Sequence, residues 1–253
     1  MINMMKADIY RLSKSKGMYI YALILLISYA ATIIYRESGG VTFGAPLNAP
    51  EGVKLDIQQL GFNFTYYFLL LIPVFGIISA DLSERTVKNT ISSGVSRKDY
   101  FISKSVFAFI YSLIVFIIPN YLFYFINHII NGEKYSTSFA GFSKALFMQL
   151  PMIAGLISVF IFFAFFLRKG AVFNAVTIVT PILYTTASLI MYGISATKHL
   201  AEGLLKYELS VMIYSLAVGC SDSFRIRCYM ISAGMIAFSA IAGYLAFTKR
   251  ELD

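Results

Sequence analysis

Two groups of polar residues in this 253-residue chain have the types and spacing to act on something outside themselves. The first is the run ADLSERTVKNTISSGVSRKDYFISKS, residues 80–105, which gathers eight charged residues between two long uncharged stretches. Asp81 with Glu84 three positions later has the spacing of a capping box, Ser93 and Gly94 supply a stop, and Ser96 with Asp99 repeats the box. This predicts helix, glycine break, helix, with the first piece too polar to enter lipid. The chemistry on offer is docking, since a rigid polar helix at the membrane's inner face needs something to touch. A merely solvated loop is the bland alternative, but two capping boxes around a glycine favour built helices.

The second group is Asn174, Thr177, Pro181, Thr185, Ser188, Tyr192 and Ser195, which recur every three or four residues in an otherwise apolar stretch. At 100° per residue they share one narrow helical face, while Val172, Val176, Val179, Leu183 and Ile190 form an aliphatic face opposite. Such a stripe must meet protein or a wet cavity rather than lipid. It reads either as part of a substrate path (Asn174, Thr177, Thr185, Ser188, Tyr192) or as interhelical hydrogen bonding.

Catalytic chemistry is missing. His128 and His199 have no nucleophile in an identifiable motif, Cys220 and Cys228 form no C-x-x-C pair and read as packing residues, and no H-E-x-x-H or G-x-x-x-x-G-K-[ST] occurs. The chain therefore reads as no enzyme, with no metal and no cofactor of its own. If ATP is consumed, another polypeptide hydrolyses it.

The elements that must position these residues follow from composition. With 58% hydrophobic and 13% charged residues, and a mean hydropathy of +0.72, a water-soluble domain is excluded. Cutting the chain at every Asp, Glu, Lys and Arg leaves six long uncharged stretches, residues 17–35, 57–80, 105–132, 145–167, 170–197 and 228–248. Each reaches the roughly 17 to 25 residues that a membrane-crossing helix needs. The expected fold is a single all-α membrane domain over 1–253 with six spans, about 17–35, 59–80, 105–127, 145–167, 171–193 and 228–248. The first stretch exceeds a normal signal-peptide core and is kept as a span. No span contains Asp, Glu, Lys or Arg, which argues against an ion-coupled carrier, a pump or a voltage sensor. A channel is disfavoured by the lack of a filter sequence.

Orientation follows from charge. With the N-terminus cytoplasmic, 13 of the 21 basic residues fall on the inner side, so the formal +8 reads as topology and attraction to anionic lipid, with no nucleic-acid partner. Both termini are then cytoplasmic. Ahead of the first span, Ile2, Met5, Ile9 and Leu12 form the apolar stripe of an interfacial helix over 1–16. The glycine- and proline-rich outer loop 36–56 should be irregular. Thirteen uncharged residues, 209–221, are too short to cross and read as an interfacial or re-entrant helix, part of a short outer hairpin before the last span. Pro73, Pro119 and Pro181 should bend their helices. Ala233 with Ala237, Ser239 with Gly243 and Ala242 with Ala246 should let helices approach closely.

In order, these features resemble the permease subunit of type 2 ATP-binding-cassette exporters, over nearly the whole chain. The stretches that carry the likeness are MKADIYRLSKSK (residues 5–16), ERTVKNTISSGVSRK (84–98) and FTKREL (247–252). They look like the small bacterial permeases of lantibiotic immunity and peptide-toxin export, although Arg85 stands where many relatives have Gly. The resemblance implies a bacterial cytoplasmic-membrane protein paired with a second copy or a sister permease. It also implies a separate nucleotide-binding ATPase subunit that carries ATP and Mg. Glu84, Arg85, Lys88, Asn89 and Ser93 would then belong to a coupling helix, oriented by Asp81. The substrate it implies is an amphipathic antimicrobial or cytolytic peptide, an assignment that the 23 Phe, 18 Tyr and 10 Met suit because such surfaces repack around varied ligands. Export of lipid-linked or small hydrophobic compounds, and a non-transporting sensor or assembly role, are the alternatives.

Overall fold

A computed structural model describes residues 2–36, 52–60, 64–84 and 86–249. Most of the expected outer loop, Arg85, the side chain of Ile2 and the end of the FTKREL stretch lie outside the described residues. Every element among the described residues is helical. They are α1 (Ile2–Lys14), α2 (Lys16–Tyr35), α3 (Leu55–Gln59), α4 (Phe64–Val74), a π-helical turn (Phe75–Ser79), α5 (Ala80–Ser83), α6 (Thr86–Ser92), α7 (Arg97–Asn131), α8 (Phe139–Leu167), α9 (Gly170–Gly193), α10 (Lys198–Lys206), α11 (Leu209–Val218) and α12 (Asp222–Thr248).

Five of these, α2, α7, α8, α9 and α12, are long and apolar enough to cross a membrane. The chain is a multi-pass, all-helical membrane protein. The stretch expected as the second span is helical from Phe64 to Ser83 without a gap, but in three pieces. Pro73 removes a backbone donor, and the helix widens into the π turn directly after it, as such interruptions do. Two long helices run past the uncharged stretches that foretold them. α7 begins at Arg97, where Ser96 caps it by accepting from the Asp99 amide at 3.1 Å, while the Asp99 carboxylate accepts from the Ser96 hydroxyl at 2.6 Å rather than from its amide. α12 begins at Asp222 and takes in Arg225 and Arg227.

α8 is the centre of the bundle: 56% of its most apolar window is buried, against 17% to 39% for the other four long helices. α12 lies against it so closely that a Cβ on Gly155 would sit 3.1 Å from Ser232 Oγ and 3.3 Å from its Cα. α8 also carries Pro151, whose carbonyl accepts from the Ser232 hydroxyl. Of the small pairs expected to pack, Ser239 with Gly243 lies on the buried face of α12, whereas Ala233 and Ala237 point outward. The face that packs is Cys228, Ser232, Ser239, Gly243 and Phe247, set by α8 rather than by residue size alone. Outside, Ile20, Leu23, Ile24 and Ile27 of α2 and Ile129, Phe238 and Ile241 elsewhere are exposed, an apolar jacket suited to lipid.

The N-terminal helix departs from its expected stripe. Leu12 is buried and Met5 half-buried, but Ile9 is 51% exposed and Asp8 takes its place facing the protein. A wheel drawn on hydropathy cannot see that Asp8 has charged partners waiting on other helices.

Candidate functional site

The expected docking segment is an elbow between α5 and α7. α6 turns Val87 inward and shows Lys88, Asn89 and Ser92 to the outside, with Ile91 half-buried; Glu84 and Ser93 flank it, both exposed. Gly94, at a φ of +96°, ends it in a conformation that favours glycine. Arg85 lies outside the described residues.

Asp81 does not cap this helix. It sits within α5, a continuation of the preceding helical run, at a position whose dihedrals are already helical, so no orphan amides await its carboxylate. Its role is electrostatic. Its carboxylate accepts from Arg11 Nη1 of α1, lies 2.5 Å from Lys104 Nζ of α7, and accepts from the Tyr100 hydroxyl at 3.1 Å and from Thr86 Oγ1 at 3.2 Å. Lys104 also donates to both oxygens of Asp8, at 2.6 and 2.8 Å, while Arg11 reaches Asp8 at 3.2 Å and the Gly76 carbonyl at 2.8 Å. Two acids thus meet two bases, and three of the four side chains are under 10% exposed. Burial alone pushes the Asp81 carboxyl up, but Arg11 and Lys104 outweigh it and hold the group below its ordinary range. For Asp8 burial wins, and its carboxyl stays above the ordinary value despite Lys104.

The elbow is also tied to α9. Ser83 Oγ accepts from the Gly170 amide at 2.6 Å, and a Cβ on Gly170 would lie 3.0 Å from both Ser83 Oγ and the Phe75 ring. Four elements, α1, α5, α7 and α9, therefore converge on the root of α6. Arg97 and Arg168 reach carbonyls at the last turn of α12, at 3.3 Å each, where helix-end partial charge favours cations.

The polar residues of α9 are divided. Thr177, Thr185 and Ser188 are buried, Asn174 is half-buried, and Tyr192 is 44% exposed with Lys198 Nζ 5.2 Å from its ring centre. Of the opposite face, Val172, Val179, Leu183 and Ile190 are exposed, while Val176 joins the wall of a cavity. Thr177 Oγ1 returns its proton to the Phe173 carbonyl at 2.7 Å, and its own carbonyl accepts from Tyr67. Thr185 does something its spacing could not foretell: it donates to Glu208 Oε1 at 3.0 Å.

That contact exists because α10 folds back along α9. The Tyr184 hydroxyl donates to the Leu204 carbonyl at 2.9 Å, so the turn carrying Glu208 lies beside Thr185, eight residues short of Gly193 and about 12 Å inward from the end of α9. α11 then climbs away, where the Ile213 carbonyl accepts from buried Gln149 at 2.9 Å. Glu208 is 5% exposed, and its Oε2 is buried without a hydrogen-bond partner. Burial pushes this carboxyl above its ordinary value, against hydrogen bonds from Thr185 and Ser210. Glu208 escapes a search of uncharged stretches, since it merely borders one.

Among the described residues no group of three or more His, Cys, Asp or Glu could hold a metal ion. Cys228 is fully buried and Cys220 partly so, both as free thiols. His128 is exposed and stacks on Tyr124, and His199 is exposed. No protein-family model, no curated protein and no solved structure matches the chain.

Proposed function

We propose that this chain is the membrane-spanning subunit of an ATP-driven exporter, with the stretch about 59–80 as a sixth span beside the five long helices and with both termini cytoplasmic. A separate nucleotide-binding subunit, which carries ATP and Mg, docks on Glu84, Arg85, Lys88, Asn89 and Ser93. A second copy or a sister permease completes the path through the bacterial cytoplasmic membrane. The cargo is an amphipathic antimicrobial or cytolytic peptide.

One observation carries this reading: α6 turns Lys88 and Asn89 outward, yet its root is bolted to α1, α7 and α9. A solvated loop gains nothing from such a root. A lever does, because packed elements move as discrete bodies, so a push on α6 passes to several helices at once. The π turn after Pro73 gives the same lever a point at which to bend. The likeness of residues 84–98 to the coupling segment of type 2 exporters supports the same assignment.

Co-purification tests it. Wild-type chain expressed with its neighbouring reading frames should retain an ATP-binding protein in equal stoichiometry, and Glu84→Lys with Lys88→Glu should release it while thermal stability is unchanged. Retention by the double variant removes the docking site. Stimulation of the reconstituted ATPase by peptide supports the cargo assignment, and stimulation by lipid or a small drug alone replaces it.

A further inference from the structure

We propose that the cavity between α8, α9 and the α10–α11 turn binds a small organic cation with a hydrophobic body, its charge held by Glu208. The cavity has a volume of about 390 Å³, within the range of ligand sites. Phe160 and Phe163 of α8, Pro181 and Tyr184 of α9, and Tyr207 beside Glu208 line it. Aromatic rings gathered with one carboxylate are the side-chain types that recognise ammonium and quaternary ammonium groups. A bare metal ion asks for several oxygen ligands, which this lining does not gather.

Glu208 supplies the selectivity. Glu208 borders the cavity, and with Thr185 on Oε1 and no donor on an Oε2 sealed inside the protein, its negative charge is left short of compensation. The cations nearby in sequence do not relieve it: Lys206 is exposed, and Arg227 donates to the Tyr207 hydroxyl at 2.9 Å. A seated organic cation provides the missing positive charge and fills the apolar volume together. A lipid chain would fill the volume and leave that charge uncompensated. The binding belongs to this chain alone and does not depend on the ATPase partnership.

The test is titration of the purified full chain, in nanodiscs of zwitterionic lipid, with benzyltrimethylammonium and with its uncharged carbon analogue neopentylbenzene. The cation should bind saturably and the analogue at least about tenfold more weakly. Glu208→Gln should weaken cation binding by roughly tenfold to a hundredfold, the effect of losing one partly buried charge pair. In the unmodified protein, saturating benzyltrimethylammonium should also slow carbodiimide modification of Glu208, followed by mass spectrometry, which needs no variant to fold. Lack of saturable binding by the wild-type chain, equal affinity for the analogue, or unchanged affinity in a Glu208→Gln protein with wild-type thermal stability overturns the proposal.

Discussion

The protein buries carboxylates at two places and treats them in opposite ways. At the root of α6, Asp8 and Asp81 face Arg11 and Lys104, and each acid has at least two donors. Beside α9, Glu208 has hydroxyl donors on one side and a buried oxygen with none. Charges that are mutually satisfied hold helices in place, and removing one partner strands the others. A carboxylate left short of partners is poor at holding a fold together and well suited to a missing ligand. The contrast separates a joint from a site.

Breaking the joint should have the largest effect. Lys104→Met leaves Arg11 as the one cation facing Asp8 and Asp81 in this joint and should lower stability by about 3 to 5 kcal/mol. Thermal unfolding in mild detergent measures it, and adding Asp8→Asn should recover part of the loss as a positive coupling. Next, Thr185→Val removes the hydroxyl that donates to Glu208 and should cost about 1 to 3 kcal/mol, because it strands more of a buried carboxylate.

The pH dependence sharpens the contrast further. The folded-state pKa of Glu208 is raised, so its stabilising contribution is complete below the unfolded value near ~4.3 and is lost as pH rises through the folded value. Stability of Glu208→Gln relative to wild type should therefore climb with pH across that window, and a flat difference would place Glu208 in an ordinary environment. Asp81 runs the other way: its lowered pKa gives stability that is present above ~3.9 and lost on acidification. The smallest effect belongs to the exposed elbow, where Glu84→Lys with Lys88→Glu should change stability by no more than about 0.5 kcal/mol. A larger change would make α6 part of the joint rather than a surface it supports.

Much of the frame was legible in the sequence. Long uncharged stretches foretold the helices, because a helix in lipid must satisfy its own backbone and carry little charge. The Ser96 box foretold the start of α7, since capping is a local affair of three residues. The stripe on α9 foretold the burial of Thr177, Thr185 and Ser188, but not the exposure of Tyr192. What escaped was long-range pairing. Asp81 has the spacing of a cap and instead answers Arg11, 70 residues away; Asp8 reads as the polar side of an amphipathic helix and instead answers Lys104, 96 residues away. Thr185 and Glu208 meet only because α10 doubles back, which no periodicity within either helix encodes.

The role proposed for α6 is that of a handle which a separate motor grips. A photocrosslinking residue placed at Asn89 in living cells, with mass spectrometry of the adduct, tests this most directly. The prediction is one dominant adduct with an ATP-binding protein, lost when the same residue is placed at Ile129 on the jacket. Adducts confined to lipid or to copies of this chain, with Asn89→Cys labelled from outside the cell, would contradict it.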